Sequence, residues 1–177
     1  MNTLLSISPS KLLMRPVADF NDKWFLLTAG DFNKKHYNTM AVSWGTIGVL
    51  WNRPVVQVFV RPQRYTHEFM EAYPDFTLTL FRRALRPALQ LLGTKSGRDC
   101  DKIAESGLTP CASACVASPS FAEAELVIEA RKLFAQKMTA SAFCDTSLIP
   151  ANYANNDFHT LYFGEIAAVR GAAEWQS

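Results

Sequence analysis

No stretch of this sequence approaches the ~20 consecutive apolar residues of a membrane helix. No membrane role is expected from it. Charge of one sign is also missing: 18 Lys and Arg stand against 16 Asp and Glu, a net +2. Such a balance gives no reason to expect nucleic acid as a partner. The densest basic cluster, Arg82, Arg83 and Arg86, reads as the solvated side of a short helix. Cysteine is sparse, and Cys100, Cys111, Cys115 and Cys144 form no paired CxxC framework. No nearby His or Cys pair adds the two further ligands that a metal on Cys111 and Cys115 would need, so no metal is expected. These thiols are expected to be reduced, as in a cytoplasmic protein, with Cys111 and Cys115 packed in a strand around Ala112 to Ala117. The N-terminal MNTLLSISPSKLLMRP has no charged region ahead of its broken apolar pieces, unlike an export signal. Gly-x-Gly-x-x-Gly after a strand, a Walker A spacing and a Ser/His/Asp arrangement are missing too.

What is present is a globular composition, 49% hydrophobic and 19% charged over 177 residues. One domain spanning residues 1–177 is expected. Strand patterns recur at Trp24 to Ala29, Thr39 to Leu50, Val55 to Val60, Asp75 to Phe81 and His159 to Arg170. Short helices are expected at His67 to Ala72 with Thr66 as cap, at Arg82 to Leu92, and from a cap at Asp99 to Ser106. Glu123 to Met138 suits helix by propensity and strand by alternation, and the pattern leaves both open. This inventory favours an antiparallel barrel with helical insertions over a doubly wound fold.

Three elements carry chemistry. In the strand from Thr39, one face shows only Thr39, Ala41, Ser43 and Gly45, while Met40, Val42, Trp44 and Thr46 share the other. A planar ring could approach the backbone over that small face; close packing of a helix against it is the alternative. Next, Arg61-Pro62-Gln63-Arg64-Tyr65-Thr66 enters a helix whose unpaired N–H groups, with the two guanidiniums, suit a phosphate. An ordinary capped helix with two exposed arginines is the plain counterpart. Finally, Gly93 to Asp99 places Lys95, Ser96 and Arg98 between two glycines, a second jaw for the same anion.

In their order and spacing, NTMAVSW, VRPQRYTHEF, GTKSGRDCDKIAESGL and HTLYFGEI resemble the flavin reductase-like, FMN-binding split-barrel family. The resemblance spans roughly Leu12 to Arg170 and is nearest to its flavoredoxin-like branch. It implies a mainly β fold with short α insertions, a six-stranded antiparallel Greek-key split barrel, and Glu123 to Met138 as largely strand. It also implies a homodimer with FMN near the interface. Carried over by position, Asn38, Thr39, Met40 and Ala41 would border the flavin ring through backbone groups, and Ser43 and Trp44 would continue that wall. Arg61, Arg64 and Thr66 would face the phosphate, with Lys95, Ser96 and Gly97 closing over it. Arg98 could instead pair with Asp99 or Asp101. His159 would lie near the open face of the flavin, positioning a nicotinamide or acceptor, or else serve as a structural residue. The implied activity is NAD(P)H-dependent flavin reduction, with NADH or NADPH as a transient donor and an electron-acceptor protein as a possible partner. The alternative is an FMN-binding electron carrier without nicotinamide turnover of its own.

Overall fold

The computed structural model describes residues 4–177; the first three residues of the N-terminal stretch lie outside them. The strands are β1 (Leu5–Ile7), β2 (Phe25–Asp31), β3 (His36–Val42), β4 (Gly45–Leu50), β5 (Arg53–Val60), β6 (Asp75–Phe81), β7 (Pro110–Cys111), β8 (Ser120–Phe121), β9 (Ala124–Lys137) and β10 (Thr160–Gly171). The helices are α1 (Pro16–Ala18), α2 (Tyr65–Ala72), α3 (Arg86–Thr94), α4 (Lys102–Ser106) and α5 (Leu148–Asn152). Among the described residues no helix is long and apolar enough to cross a membrane.

Eight strands form one antiparallel sheet in the order β3-β2-β6-β9-β10-β5-β4, with β1 alongside β10. The fold is thus mainly β with short helices, as expected, but this sheet has eight strands where six were expected. The end strands of the path, β3 and β4, are consecutive in sequence with only Ser43 and Trp44 between them. Three Cα steps span at most roughly 11 Å, so the sheet must curl until its ends face each other. No ladder joins β3 to β4 among the described residues.

Pairing with β6 and β10 settles β9 as a strand. Leu126, Ile128 and Ala130 enter the core beside Leu78, Phe76 and Tyr162, and tertiary burial overrides a helical propensity of a few tenths of a kcal/mol per residue. In β2, alternation is hidden because both faces are covered. Phe25, Leu27 and Ala29 point into the main core. Leu26 instead joins Phe81, Leu89, Leu92, Leu108 and Phe121 in a second cluster beneath α3.

Several local expectations change. The β4–β5 hairpin turns at Trp51 and Asn52, both at positive φ (51° and 58°), so Pro54 lies within β5. That signature of a tight hairpin turn is normally carried by Asn-Gly or Asp-Gly. Arg64, not Thr66, occupies the cap position of α2. Asp101, not Asp99, caps α4, accepting from the Ala104 N–H at 3.1 Å. Pro87 sits in the first turn of α3, where its missing N–H costs nothing. Residues Ala112 to Ala117 are a loop, and Cys115 is exposed. The loop's N–H groups are satisfied by buried carboxylates: Ala114 and Cys115 donate to Glu129, and Ala117 and Ser118 to Asp75. Those bonds replace the ladder that a strand would have formed. Arg86 is not simply solvated, since its guanidinium lies 3.2 Å from the Trp24 ring centroid and donates to the Asp22 and Lys23 carbonyls.

Candidate functional site

The gap between the sheet's ends opens into three adjoining cavities. The first, about 240 Å³, is walled by Met40 to Trp44, Phe59, Arg61, Arg64 and His159. A second, about 350 Å³, continues past Arg61 and Arg64 to Thr66, Lys95, Ser96 and Lys102. The third, about 590 Å³, lies on the α3 side of Ala41 and Ser43, against Trp24, Gln90 and Thr94. Arg64 borders all three.

The first cavity derives its character from strand position. β3 ends the sheet path and pairs only with β2. Alternate N–H and C=O groups on its outer edge are therefore free of a ladder and available to a ligand. Met40 and Val42 turn their side chains into the core. Ala41 faces α3, where a Cβ placed on Gly93 would come within 3.1 Å of the Ala41 Cβ. Both readings of the small face thus hold at different positions: Ala41 packs under a helix, and the backbone beyond it borders open space. Thr39 is fully buried, its hydroxyl accepting from Thr28 at 2.9 Å and donating to the Leu27 carbonyl at 3.0 Å. Asn38 is buried as well and donates to the Thr66 hydroxyl at 2.8 Å. Neither residue lines the first cavity, whose strand wall begins at Met40.

His159 closes the opposite wall. It is 7% exposed, with Nδ1 2.9 Å from the Tyr153 hydroxyl and its ring 5.1 Å from that of Trp44. Burial, aided by the positive charges of Arg61 and Arg64 and opposed by Asp157, lowers its pKa to about 4. The imidazole is neutral at physiological pH. Trp44 itself stays 45% exposed at the rim.

The basic residues divide their work. Arg61 donates to Asp157 (2.5 Å) and to the Asn152 carbonyl (2.8 Å), so it clasps the segment carrying α5 while still lining two cavities. Arg64 donates to the Gly93 carbonyl at 2.8 Å and ties α2 to α3. Lys95 pairs with Glu105, and Arg98 pairs with Glu68 of α2 rather than with Asp99 or Asp101. Arg98 also donates to the Gln63 carbonyl at 3.1 Å. Gly93 is helical, so the expected loop begins only at Lys95. Gly97 packs so closely that a Cβ would fall 2.4 Å from Asn38 Oδ1. Of the expected jaw residues, Lys95, Ser96, Thr66, Arg61 and Arg64 meet around one cavity, while Gly97 lines a neighbouring groove together with Asn38, which was expected at the ring. His67 stays outside the cavities described, bonded to Thr160 at 3.1 Å. Its pKa is lowered first by burial.

One residue of the site escapes the sequence reading. Lys102 is 4% exposed, and its Nζ donates to the carbonyls of Leu92 (2.9 Å) and Lys95 (3.0 Å) at the C-terminal end of α3. Burial and the nearby Arg64 lower its pKa to about 8. No carboxylate pairs with it among the described residues. The available signal is that a lysine at the first position of a helix opposes the helix dipole, an arrangement that makes sense when it serves something else.

A family model for the flavin reductase like domain matches residues 17–176. This chain belongs to the flavin reductase like family. Similar solved structures agree with the fold of that family. Flavoredoxin of Desulfovibrio vulgaris (Miyazaki F) is 24% identical with TM-score 0.65, the match covering 85% of this chain and 70% of that one. An FMN-binding domain of a flavin reductases-like enzyme from Shewanella baltica OS155 is 17% identical with TM-score 0.71, covering 98% and 79%. The NADH:FAD oxidoreductase of Streptomyces globisporus C-1027, solved with NAD and FAD fragments, is 16% identical with TM-score 0.61, covering 83% and 73%. Within the flavin reductase like fold, the site lies where a two-residue link joins the ends of the sheet.

The residues present fit a flavin mononucleotide. The unpaired edge of β3 matches the polar rim of a ring. The second cavity gathers Arg61, Arg64, Lys95 and Lys102 with the Thr66 and Ser96 hydroxyls, a donor set suited to a phosphate.

Proposed function

We propose that this protein is an FMN-binding oxidoreductase that accepts electrons from NADH or NADPH and passes them to an acceptor. The observation that carries this reading is the continuity of the two cavities across Met40, Arg61 and Arg64. A cavity against free backbone leads directly into an anion jaw.

Bound FMN would supply the hydride-accepting and electron-donating chemistry. The chain's own groups do the rest. The β3 edge from Met40 to Ser43 offers main-chain donors and acceptors, and donors aimed at developing negative charge favour a reduced ring. Trp44, Phe59 and His159 form the facing wall, whose aromatic surface limits water. His159 orients as a neutral imidazole and holds no proton to release near pH 7. Arg64 fixes the distance between the ring wall and α3 through Gly93. Thr66, Ser96, Lys95 and Lys102 hold the phosphate, with Asn38 and Gly97 positioning Thr66 and the loop from behind.

Two copies of the chain are proposed to associate. An exposed apolar strip supports this: Trp51 is 55% and Phe134 40% exposed, their rings 6.3 Å apart, with Phe163 6.1 Å from Phe134. Clustered exposed aromatics mark interaction surfaces.

Anaerobic mixing of FMN-loaded protein with NADH or NADPH tests the electron donor. Bleaching of the flavin's visible absorbance is expected with one of them. Bleaching only by dithionite or a protein donor would replace the reductase reading with that of an electron carrier.

A further inference from the structure

Tyr153 borders none of the three cavities of the site, yet it touches the histidine that walls the first. It follows α5 directly, is 4% exposed, and packs against Phe143 and Phe158 with ring centroids 5.7 and 4.9 Å away. The Arg61 guanidinium lies 5.1 Å from its ring centroid and donates to the carbonyl of the preceding residue, Asn152. The phenol is thus held from several sides, with its hydroxyl 2.9 Å from His159 Nδ1.

The direction of that bond decides what His159 shows the cavity. The hydroxyl has one proton and two acceptors in reach, Nδ1 and, at 3.8 Å, the thioether of Met138. A ring nitrogen is a good acceptor and a thioether a weak one. Were Nδ1 the donor, the phenol proton would be left with the sulfur alone. Burial raises the Tyr153 pKa, so the oxygen keeps its proton, and lowers that of His159, so the imidazole stays neutral. A neutral imidazole that accepts at Nδ1 carries its proton on Nε2. No hydrogen bond engages Nε2 among the described residues, and the ring lines the first cavity beside Trp44 and Phe59. Edge-on contacts with Tyr153 at 5.5 Å and Phe59 at 6.4 Å hold the plane of the imidazole.

We propose that Tyr153 is a positioning residue whose hydroxyl, by donating to Nδ1, fixes His159 as the Nε2–H tautomer and so presents an uncharged donor to a carbonyl oxygen of the ligand in the first cavity. The ligand rests on the flavin reading; the Tyr153–His159 bond does not. An aromatic-walled space with one neutral N–H selects a planar ring bearing a carbonyl or carboxamide, and discriminates against a ring that lacks the acceptor. That oxygen belongs either to the flavin ring or to the carboxamide of the nicotinamide donor.

Nitrogen–proton NMR spectra of protein labelled at its three histidines read the tautomer directly. The His159 signal, assigned by its loss in His159→Ala, is expected as a single Nε2–H form without added FMN. Tyr153→Phe keeps the packed ring and removes only the hydroxyl. Unchanged His36 and His67 signals would show that variant to be folded, and its His159 signal is expected to shift. The loss of one neutral hydrogen bond, about fivefold, should then appear in one of two places. A Kd for FMN raised about fivefold would assign the oxygen to the flavin. Unchanged FMN affinity, with KM for NADH or NADPH raised about fivefold at constant kcat, would assign it to the nicotinamide. In a His159→Ala background, Tyr153→Phe should change neither value further. A wild-type Nδ1–H tautomer would overturn the proposal and leave the flavin reading standing. So would a Tyr153→Phe variant with wild-type Kd and KM, or one whose loss persists in the His159→Ala background. Wild-type protein that binds no FMN would remove the flavin reading and the assigned ligand together, while the spectrum would still establish or overturn the Tyr153–His159 bond.

Discussion

Replacing Lys102 with methionine probes the site where charge, burial and structure meet. Methionine keeps the apolar stem and removes the ammonium. Two carbonyls at the end of α3, Leu92 and Lys95, lose their donor. Hydrogen bonds to charged groups are each worth about 1.5–3 kcal/mol. Against that stands the cost of burying the ammonium, visible in the fall of its pKa from 10.5 to about 8 and equivalent to about 3 kcal/mol. The two effects nearly cancel, so the fold should lose only about 1–2 kcal/mol. Phosphate binding has no such offset. Losing one charge-assisted contact should weaken FMN by about 1.5–3 kcal/mol, roughly ten- to a hundredfold. The pH dependence gives an independent readout. A bound phosphate favours the ammonium, so above pH 8 binding must take up a proton, and affinity should fall by up to about tenfold per pH unit. FMN titrations at pH 7, 8 and 9 (roughly bracketing the Lys102 value), with urea melts of both proteins, make the test. A wild-type affinity that stays flat through pH 9, or a variant that binds as the wild type does, would refute the reasoning.

Other consequences concern the two walls. Ala41→Leu should abolish flavin binding and also lower stability by about 1–3 kcal/mol, because Gly93 already approaches Ala41; a variant with normal flavin occupancy would show the ring wall to be misplaced. Arg61→Ala should weaken FMN by only about 1.5 kcal/mol, the low end for a charged contact, since Asp157 and Asn152 already engage it. The same change should speed hydrogen exchange in the segment around α5, and unchanged protection there would contradict the clasp. Buried neutral His159 should make the fold less stable as pH falls from about 6.5 towards 4, because the unfolded chain takes up the proton first. His159→Asn should flatten that part of the stability profile in urea melts; an identical profile would place the acid sensitivity elsewhere.

Much of the fold was legible because its pattern is strong. Asp75 to Phe81 matches β6, and the Val55 to Val60 run lies inside β5. Where both sheet faces are buried or a loop is fed by carboxylates, pattern misleads. Residues Ala112 to Ala117 look like a strand, yet Glu129 and Asp75 from distant strands satisfy their backbone. The site was legible as a set of segments but not as a set of partners. Sequence places Arg61 and Arg98 near an anion; it does not reveal that Asp157 and Glu68 reach them first. Lys102 stayed hidden because its ammonium is bonded to carbonyls at the end of α3 and lies in the field of Arg64, relations that no local spacing records. Asn38 and Thr39 were expected to border a ring through backbone groups, and no strand pattern reveals that their side chains brace Thr66 and the sheet.

The central claim is that the cavities joined at Met40, Arg61 and Arg64 hold one flavin mononucleotide per chain. Titrating the purified protein into FMN and following flavin fluorescence tests it most directly. Saturable quenching with a stoichiometry of one FMN per chain, lost in Ala41→Leu, is the outcome expected. Unquenched fluorescence at protein concentrations well above FMN, from a protein shown to be folded, would contradict the account.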